Sequence, residues 1–205
     1  MTARDYLERH AIDPTLAHKL GVGVHNGALT FRYTRLGGRS FERRKPLDGG
    51  LTFQPKGEPL CLYWPAGRNP DRKEIILCEG EADCLAAATV IASDLESWRN
   101  TLPVGLPGLG MPTLRILSEL ADRQRIYVVL DADLNGRGQR KQAQLIRSGR
   151  SAPPPGPYPV SVELEEGQDL SDTLAEVPED SRSVFLADLL ADAEAADPYS
   201  SRRAA

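Results

Sequence analysis

The chain has 205 residues, 40% apolar, 26% charged and 6% aromatic, with a formal net charge of −4, enough for one main domain with a proper core and a smaller appendage. No apolar run approaches the ~18 residues that a membrane span requires, the first residues lack the basic-then-apolar order of a secretory signal, and three cysteines without a C-x-x-C pair point to a reducing cytoplasm and away from structural zinc. The charge is graded: residues 1–73 carry 13 basic and 7 acidic groups, residues 74–150 carry 9 and 10, and residues 151–205 carry 3 and 12, so the first part suits a polyanion and the last a solvated or partner-docking surface.

Thr2 can cap a helix running to about His10, and Asp13-Pro14 opens a second short helix that Gly21 closes. From Val22 to about Tyr63 the pattern turns to short β pieces: residues 28–34, a turn at Leu36-Gly37-Gly38, residues 39–44, and another turn at Asp48-Gly49-Gly50. Alternation along residues 39–44 puts Arg39, Phe41 and Arg43 on one face and Ser40, Glu42 and Arg44 on the other. The prolines between 65 and 70 mark a boundary. The expected division is a basic α+β subdomain over 1–70, a main unit over 71–178, and an acidic C-terminal helix and tail over 179–205.

Past the boundary, strands alternate with helices. Residues 74–78 (EIILC) form a buried strand, 83–92 an alanine-rich helix, 102–106 a strand, 113–121 a helix, 126–130 (IYVVL) a strand, 140–148 a helix and 160–164 a strand. That alternation predicts an α/β fold with a mostly parallel sheet flanked by helices. Residues 151–159 (SAPPPGPYP) form a proline-rich connector. Residues 180–193 form an amphipathic helix, with a frayed end after Ala196.

Functional residues of an open parallel sheet gather at the carboxyl ends of its strands. Two acidic groups fall there, Glu79-Gly80-Glu81-Ala82-Asp83 after the first strand and Asp131-Ala132-Asp133 after the third. Gly80 lets the backbone turn, Asp83 enters the first helical turn, and Asp131 and Asp133 point to one side. Carboxylates converging in this way repel one another unless a hard cation such as Mg²⁺ joins them. Glu81 is expected to face solvent.

These two motifs, strand-E-G-x-x-D and strand-D-x-D, resemble the Toprim domain shared by bacterial-type primases, topoisomerases and several nucleases. The resemblance covers roughly residues 74–175 and implies a Toprim-like fold. It also implies divalent metal, Mg²⁺ or Mn²⁺, at Glu79, Asp83, Asp131 and Asp133, with phosphoryl transfer by Glu79, Asp131 and Asp133. Pro107-Gly108-Leu109-Gly110 lies where the family places a glycine-containing loop near the site, so Gly80, Gly108 and Gly110 are expected beside it. The length leaves no room for a topoisomerase's strand-passage domains, and no ATP-binding G-x-x-x-x-G-K-[ST] or C-x-x-C motif is present.

The basic N-terminal part is similar in plan to the region preceding Toprim in phage and plasmid primases, which holds template and nucleotides. This assigns phosphate contacts to Arg39, Arg43, Arg44 and Lys45, with Phe31, Tyr33 and Phe41 available to stack bases. Arg137, Arg140 and Lys141, spaced three and four apart beside the metal loop, form a second phosphate-binding set. The reading is a primase-like module making primers on single-stranded DNA from nucleoside triphosphates, with a separate helicase or template-recognition protein as partner. Two alternatives stay open, a Toprim metal-dependent nuclease and a non-catalytic module that binds nucleic acid or a replication partner.

Overall fold

The structure, a computed structural model, describes residues 1–35, 37–96, 98–151 and 157–197. Leu36 of the expected turn, residues 152–156 of the proline-rich connector and the chain after Asp197 lie outside the described residues.

Two short helices open the chain, α1 (Ala3–Arg9) and α2 (Pro14–Lys19). Thr2 caps α1 in a reciprocal box with Asp5, and the Asp13 carboxylate accepts from the Thr15 and Leu16 N–H groups to start α2, so each helix begins where its capping residue predicts. Next comes a three-stranded antiparallel sheet in the order β1 (Gly23–His25), β2 (Ala28–Thr34), β3 (Ser40–Pro46). The first of these strands escapes the sequence pattern because it is only three residues long. Register pairs Tyr33 with Phe41, Phe31 with Arg43 and Leu29 with Lys45. These six side chains therefore share the inward face.

The second sheet is parallel, in the order β5 (Thr101–Gly105), β4 (Glu74–Cys78), β6 (Arg125–Val129), β7 (Tyr158–Ser161). Its two central strands are apolar along nearly their whole length because both faces are covered. Ile76, Cys78, Tyr127 and Val129 face a core shared with the N-terminal unit and with α3 (Glu81–Ser93), α6 (Leu170–Glu176) and α7 (Arg182–Ala196). Ile75, Leu77, Ile126 and Val128 face the other core, under α4 (Thr113–Glu119) and α5 (Arg137–Arg150). Pro103 and Pro159 sit in the two outer strands, where a missing N–H interrupts least. The expected strands lie within three residues of those observed, the largest offset being at the end of β7, while α5 starts three residues earlier than the pattern suggests and α6 has no counterpart in it.

Tyr63 stitches the two sheets together. Its backbone exchanges hydrogen bonds with Gly105 at the edge of the parallel sheet, while its ring packs 6.0 Å from Phe31 and 5.1 Å from Tyr33. Alanine-rich α3 is buried on nearly every side, since small side chains let the sheet, α6, α7 and the N-terminal unit all approach it closely.

Candidate active site

Because β4 and β6 are adjacent and parallel, Glu79 and Asp131 emerge side by side at their carboxyl ends. The Asp131 N–H donates to Glu79 Oε2 at 3.2 Å. Asp133 is half-buried, and its Oδ1 accepts the Arg137 N–H at 2.8 Å, so one carboxylate both faces the site and starts α5. Asp83, in the first turn of α3, is buried and its Oδ1 accepts the Ser171 N–H at 3.1 Å. The four expected carboxylates thus share one region.

A fifth, Asp169, joins them. It caps α6, accepting from the Asp172 N–H at 2.7 Å and from the Ser171 hydroxyl at 2.8 Å, and its charge is felt by Asp83 and Asp131 alike. The signal that could have found it is Asp169-x-x-Asp172, an N-cap aspartate with an acid three positions on. Glu79, Asp131 and Asp83 hold their protons unusually tightly. Burial, then the charges of Asp83 and Asp133, push Glu79 up to about 7 against the opposing hydrogen bond from Asp131 and the charge of Arg137. Burial, then Glu79, Asp169 and Asp133, push Asp131 up to about 7. Burial and the neighbouring Asp169 and Asp131 raise Asp83 well above the carboxylate range. Such a set, all hard oxygen donors short of neutralising charge, suits Mg²⁺ or Mn²⁺ chemically. Among the described residues, though, no three His, Cys, Asp or Glu side chains already stand together closely enough to hold an ion.

Backbone approach makes this geometry possible at two glycines. A methyl group on Gly138 would run into the Asp131 carbonyl and lie 3.1 Å from Glu79 Oε2, and one on Gly105 would lie 2.9 Å from the Gly80 carbonyl. Gly80 itself is extended, with φ −139°. The chain bends there as expected, in a conformation open to any residue, and the close backbone approach falls to Gly105. Gly108 takes a left-handed φ of 117° in the loop after β5, and Gly110 is exposed two residues on.

Several expected contacts are corrected by burial. Glu81, expected in solvent, is buried and accepts from the Tyr33 hydroxyl at 2.7 Å and from Arg43 Nη1 at 2.8 Å. Arg43 also donates to the Tyr33 oxygen at 2.8 Å. The alternation along β3 is as expected, but the face bearing Arg43 turns inward, so this guanidinium locks the N-terminal sheet to the start of α3. Phe31 and Tyr33 are core residues and Phe41 stacks on Tyr33 at 5.4 Å, leaving these rings to the protein rather than to bases. Lys141 does not share an exposed face with Arg137 and Arg140. It is buried, donating to the Met111 carbonyl and to Thr113 Oγ1, because it lies about 100° round the helix from Arg140, on the side of α5 that packs against α4. Arg39, Arg44, Arg137 and Arg140 remain exposed.

Lys45 is half-buried with its ammonium 5.2 Å from the Tyr6 ring centroid. Burial pulls its pKa down, but contact with Tyr6 and the charges of Glu81 and Asp83 more than offset this and raise it. Beside it His10 stands 3.0 Å from Ser171 Oγ, with a pKa that burial lowers against the opposing pull of Asp169 and Asp172.

No protein-family model matches the sequence, and no curated protein does. Solved structures do match. The zinc-binding and RNA polymerase domains of Aquifex aeolicus primase superpose with TM-score 0.61 at 17% identity, over 93% of this chain and 55% of that one. A DnaG primase catalytic domain bound to single-stranded DNA gives TM-score 0.62 at 15% identity over 98% and 81%, and a DNA primase domain from Pseudomonas aeruginosa gives 0.60 at 20% over 90% and 70%. The chain has the fold of a bacterial primase catalytic core. The Toprim-like sheet and the antiparallel subdomain before it, both expected from the sequence, are parts of that fold. The chain spans about half the length of the Aquifex protein. Among the described residues no helix is long and apolar enough to cross a membrane.

Proposed function

We propose that this chain is a primase-like catalytic module that builds primers on single-stranded DNA by metal-dependent nucleotidyl transfer. One observation carries the reading: Glu79, Asp131 and Asp133, which follow adjacent parallel strands, gather with Asp83 of α3 and Asp169 at the cap of α6, with Lys45 of the basic antiparallel sheet close by, within a primase-core fold. Glu79, Asp83, Asp131 and Asp169, with Asp133 at the rim, are the oxygen donors that would hold Mg²⁺ or Mn²⁺. Bound there, the ion would neutralise the triphosphate and acidify the attacking hydroxyl.

In the transfer, the 3′-oxygen of the growing strand bonds to the α-phosphorus of a nucleoside triphosphate, the α–β bridge breaks, and pyrophosphate leaves. Glu79, at the carboxyl end of β4 beside Asp131, suits the role of receiving the hydroxyl proton. Lys45 faces the acids and suits a phosphate at the site. Arg39, Arg44, Arg137 and Arg140 are the exposed cations suited to template and triphosphate. Residues 1–70 would hold the template and 71–178 carry the chemistry, while 179–205 offer an acidic surface to a helicase or template-recognition protein. The fold likeness to a primase catalytic domain bound to single-stranded DNA supports that choice of template.

The test is to incubate the protein with Mg²⁺ or Mn²⁺, labelled nucleoside triphosphates and single-stranded DNA. Extended labelled products, lost in Asp131→Asn, are expected. Shortened DNA would instead make the protein a nuclease, and binding with neither outcome would leave the non-catalytic module.

A further inference from the structure

His10, at the end of α1, lies 161 positions before Ser171, yet its Nδ1 is 3.0 Å from the Ser171 hydroxyl oxygen. Ser171 is fully buried in the first turn of α6 and is bonded on three sides. Its hydroxyl donates to Asp169 Oδ1 at 2.8 Å, its N–H donates to Asp83 Oδ1 at 3.1 Å, and His10 closes the third side. A serine hydroxyl has one proton to give, and here it goes to Asp169. The serine lone pair therefore faces His10, and the imidazole must carry its proton on Nδ1. The ring is held for this: it packs 4.4 Å from the Tyr6 ring, and the His10 N–H bonds back to the Tyr6 and Leu7 carbonyls. The nearest alternative partner of Nδ1, Asp172 Oδ1, is farther away at 3.6 Å.

We infer that His10 is a positioning residue for the carboxylate cluster, acting from the N-terminal unit through the Ser171 hydroxyl to fix the rotamer of Asp169, which is hydrogen-bonded in turn to Asp83. Without the donor from His10, the buried Ser171 hydroxyl loses the partner that turns its proton toward Asp169, and Asp169 loses that anchor. This also ties the seating of α1 against the main unit to the state of the site. Outer partners that orient metal-binding side chains typically change metal affinity by about 10–100-fold when removed.

The inference rests on the reading of Asp83 and Asp169 as metal-side carboxylates, and the experiment separates the two. Mn²⁺ binding to the full chain is measured by calorimetry for wild type, His10→Ala, His10→Gln and His10→Asn. The Asn side-chain nitrogen sits where Nδ1 does, and the Gln nitrogen where Nε2 does. Expected are dissociation constants raised about 10–100-fold in His10→Ala and His10→Gln, a near-wild-type value in His10→Asn, and no added effect of His10→Ala in a Ser171→Ala background. Wild-type affinity in His10→Ala would overturn the positioning role while leaving the metal reading standing. Equal weakening in the Asn and Ala variants would reduce His10 to ring packing. A wild-type protein that binds no Mn²⁺ would sink the metal reading and this inference together.

Discussion

Arg43 is the residue whose role changes most between sequence and structure, and its replacement separates the two accounts. As a phosphate contact it would be solvent-facing, and Arg43→Ala would barely touch stability. In the structure its side chain is 11% exposed and pairs with a Glu81 side chain that is 9% exposed. One nitrogen donates to both Glu81 and Tyr33, and the guanidinium lies 5.3 Å from the Tyr33 centroid. Truncation leaves a buried carboxylate with the tyrosine hydroxyl as its remaining partner, which costs ~3–5 kcal/mol, a large fraction of the ~5–15 kcal/mol that folds a typical domain. Arg4, paired with Glu8 on the surface, is the control, because an exposed i,i+4 pair is worth ~0.3–0.5 kcal/mol. The assay is urea unfolding of wild type, Arg43→Ala, Arg4→Ala and the triple variant Tyr33→Phe/Arg43→Met/Glu81→Leu, which removes every polar member at once and should recover most of the loss. A loss in Arg43→Ala no larger than that in Arg4→Ala would refute the buried lock and return Arg43 to the template-facing set.

Three further outcomes are expected. In EDTA, stability should fall as pH rises from about 4 to about 7, because Glu79 and Asp131 keep their protons to about 7 in the folded protein but release them near 4.5 and 3.8 when unfolded. The folded state then binds more protons, and the unfolding free energy declines with pH. Urea midpoints that stay level or climb across that window would contradict it, and either Asp131→Asn or added Mn²⁺ should flatten the decline. Gly138→Ala should destabilise by ~1–3 kcal/mol through overpacking against the Asp131 carbonyl and Glu79, and should weaken Mn²⁺ binding; wild-type values for both would show that α5 yields without cost. Single-strand titrations at several salt concentrations should show Arg39→Ala/Arg44→Ala lowering the log–log slope by roughly 0.7 per lost phosphate contact. Lys141→Ala should leave that slope intact while lowering stability, and the opposite pattern would reverse their assignments.

Much of the parallel sheet was legible because its signals are local. EIILC and IYVVL are short apolar runs that only a strand covered on both faces can use, and each is followed at once by its acids, so the positions of Glu79, Asp83, Asp131 and Asp133 follow from where the strands end. Asp169 and α6 are not legible in the sequence because a seven-residue helix in an acidic stretch has little periodicity to betray it. Alternation correctly told which residues of β3 share a face, yet it is silent on which face meets the interior. That choice depends on partners distant in the chain: Glu81 lies 38 positions from Arg43, and Met111 lies 30 from Lys141. A cation on a strand or helix looks the same in sequence whether water or a buried carboxylate awaits it. Local pattern therefore determined the elements and the acidic motifs, whereas only the packing of the N-terminal unit against α3 and α6, and of α5 against α4, decided which basic residues are left to meet a ligand and brought His10 to Ser171.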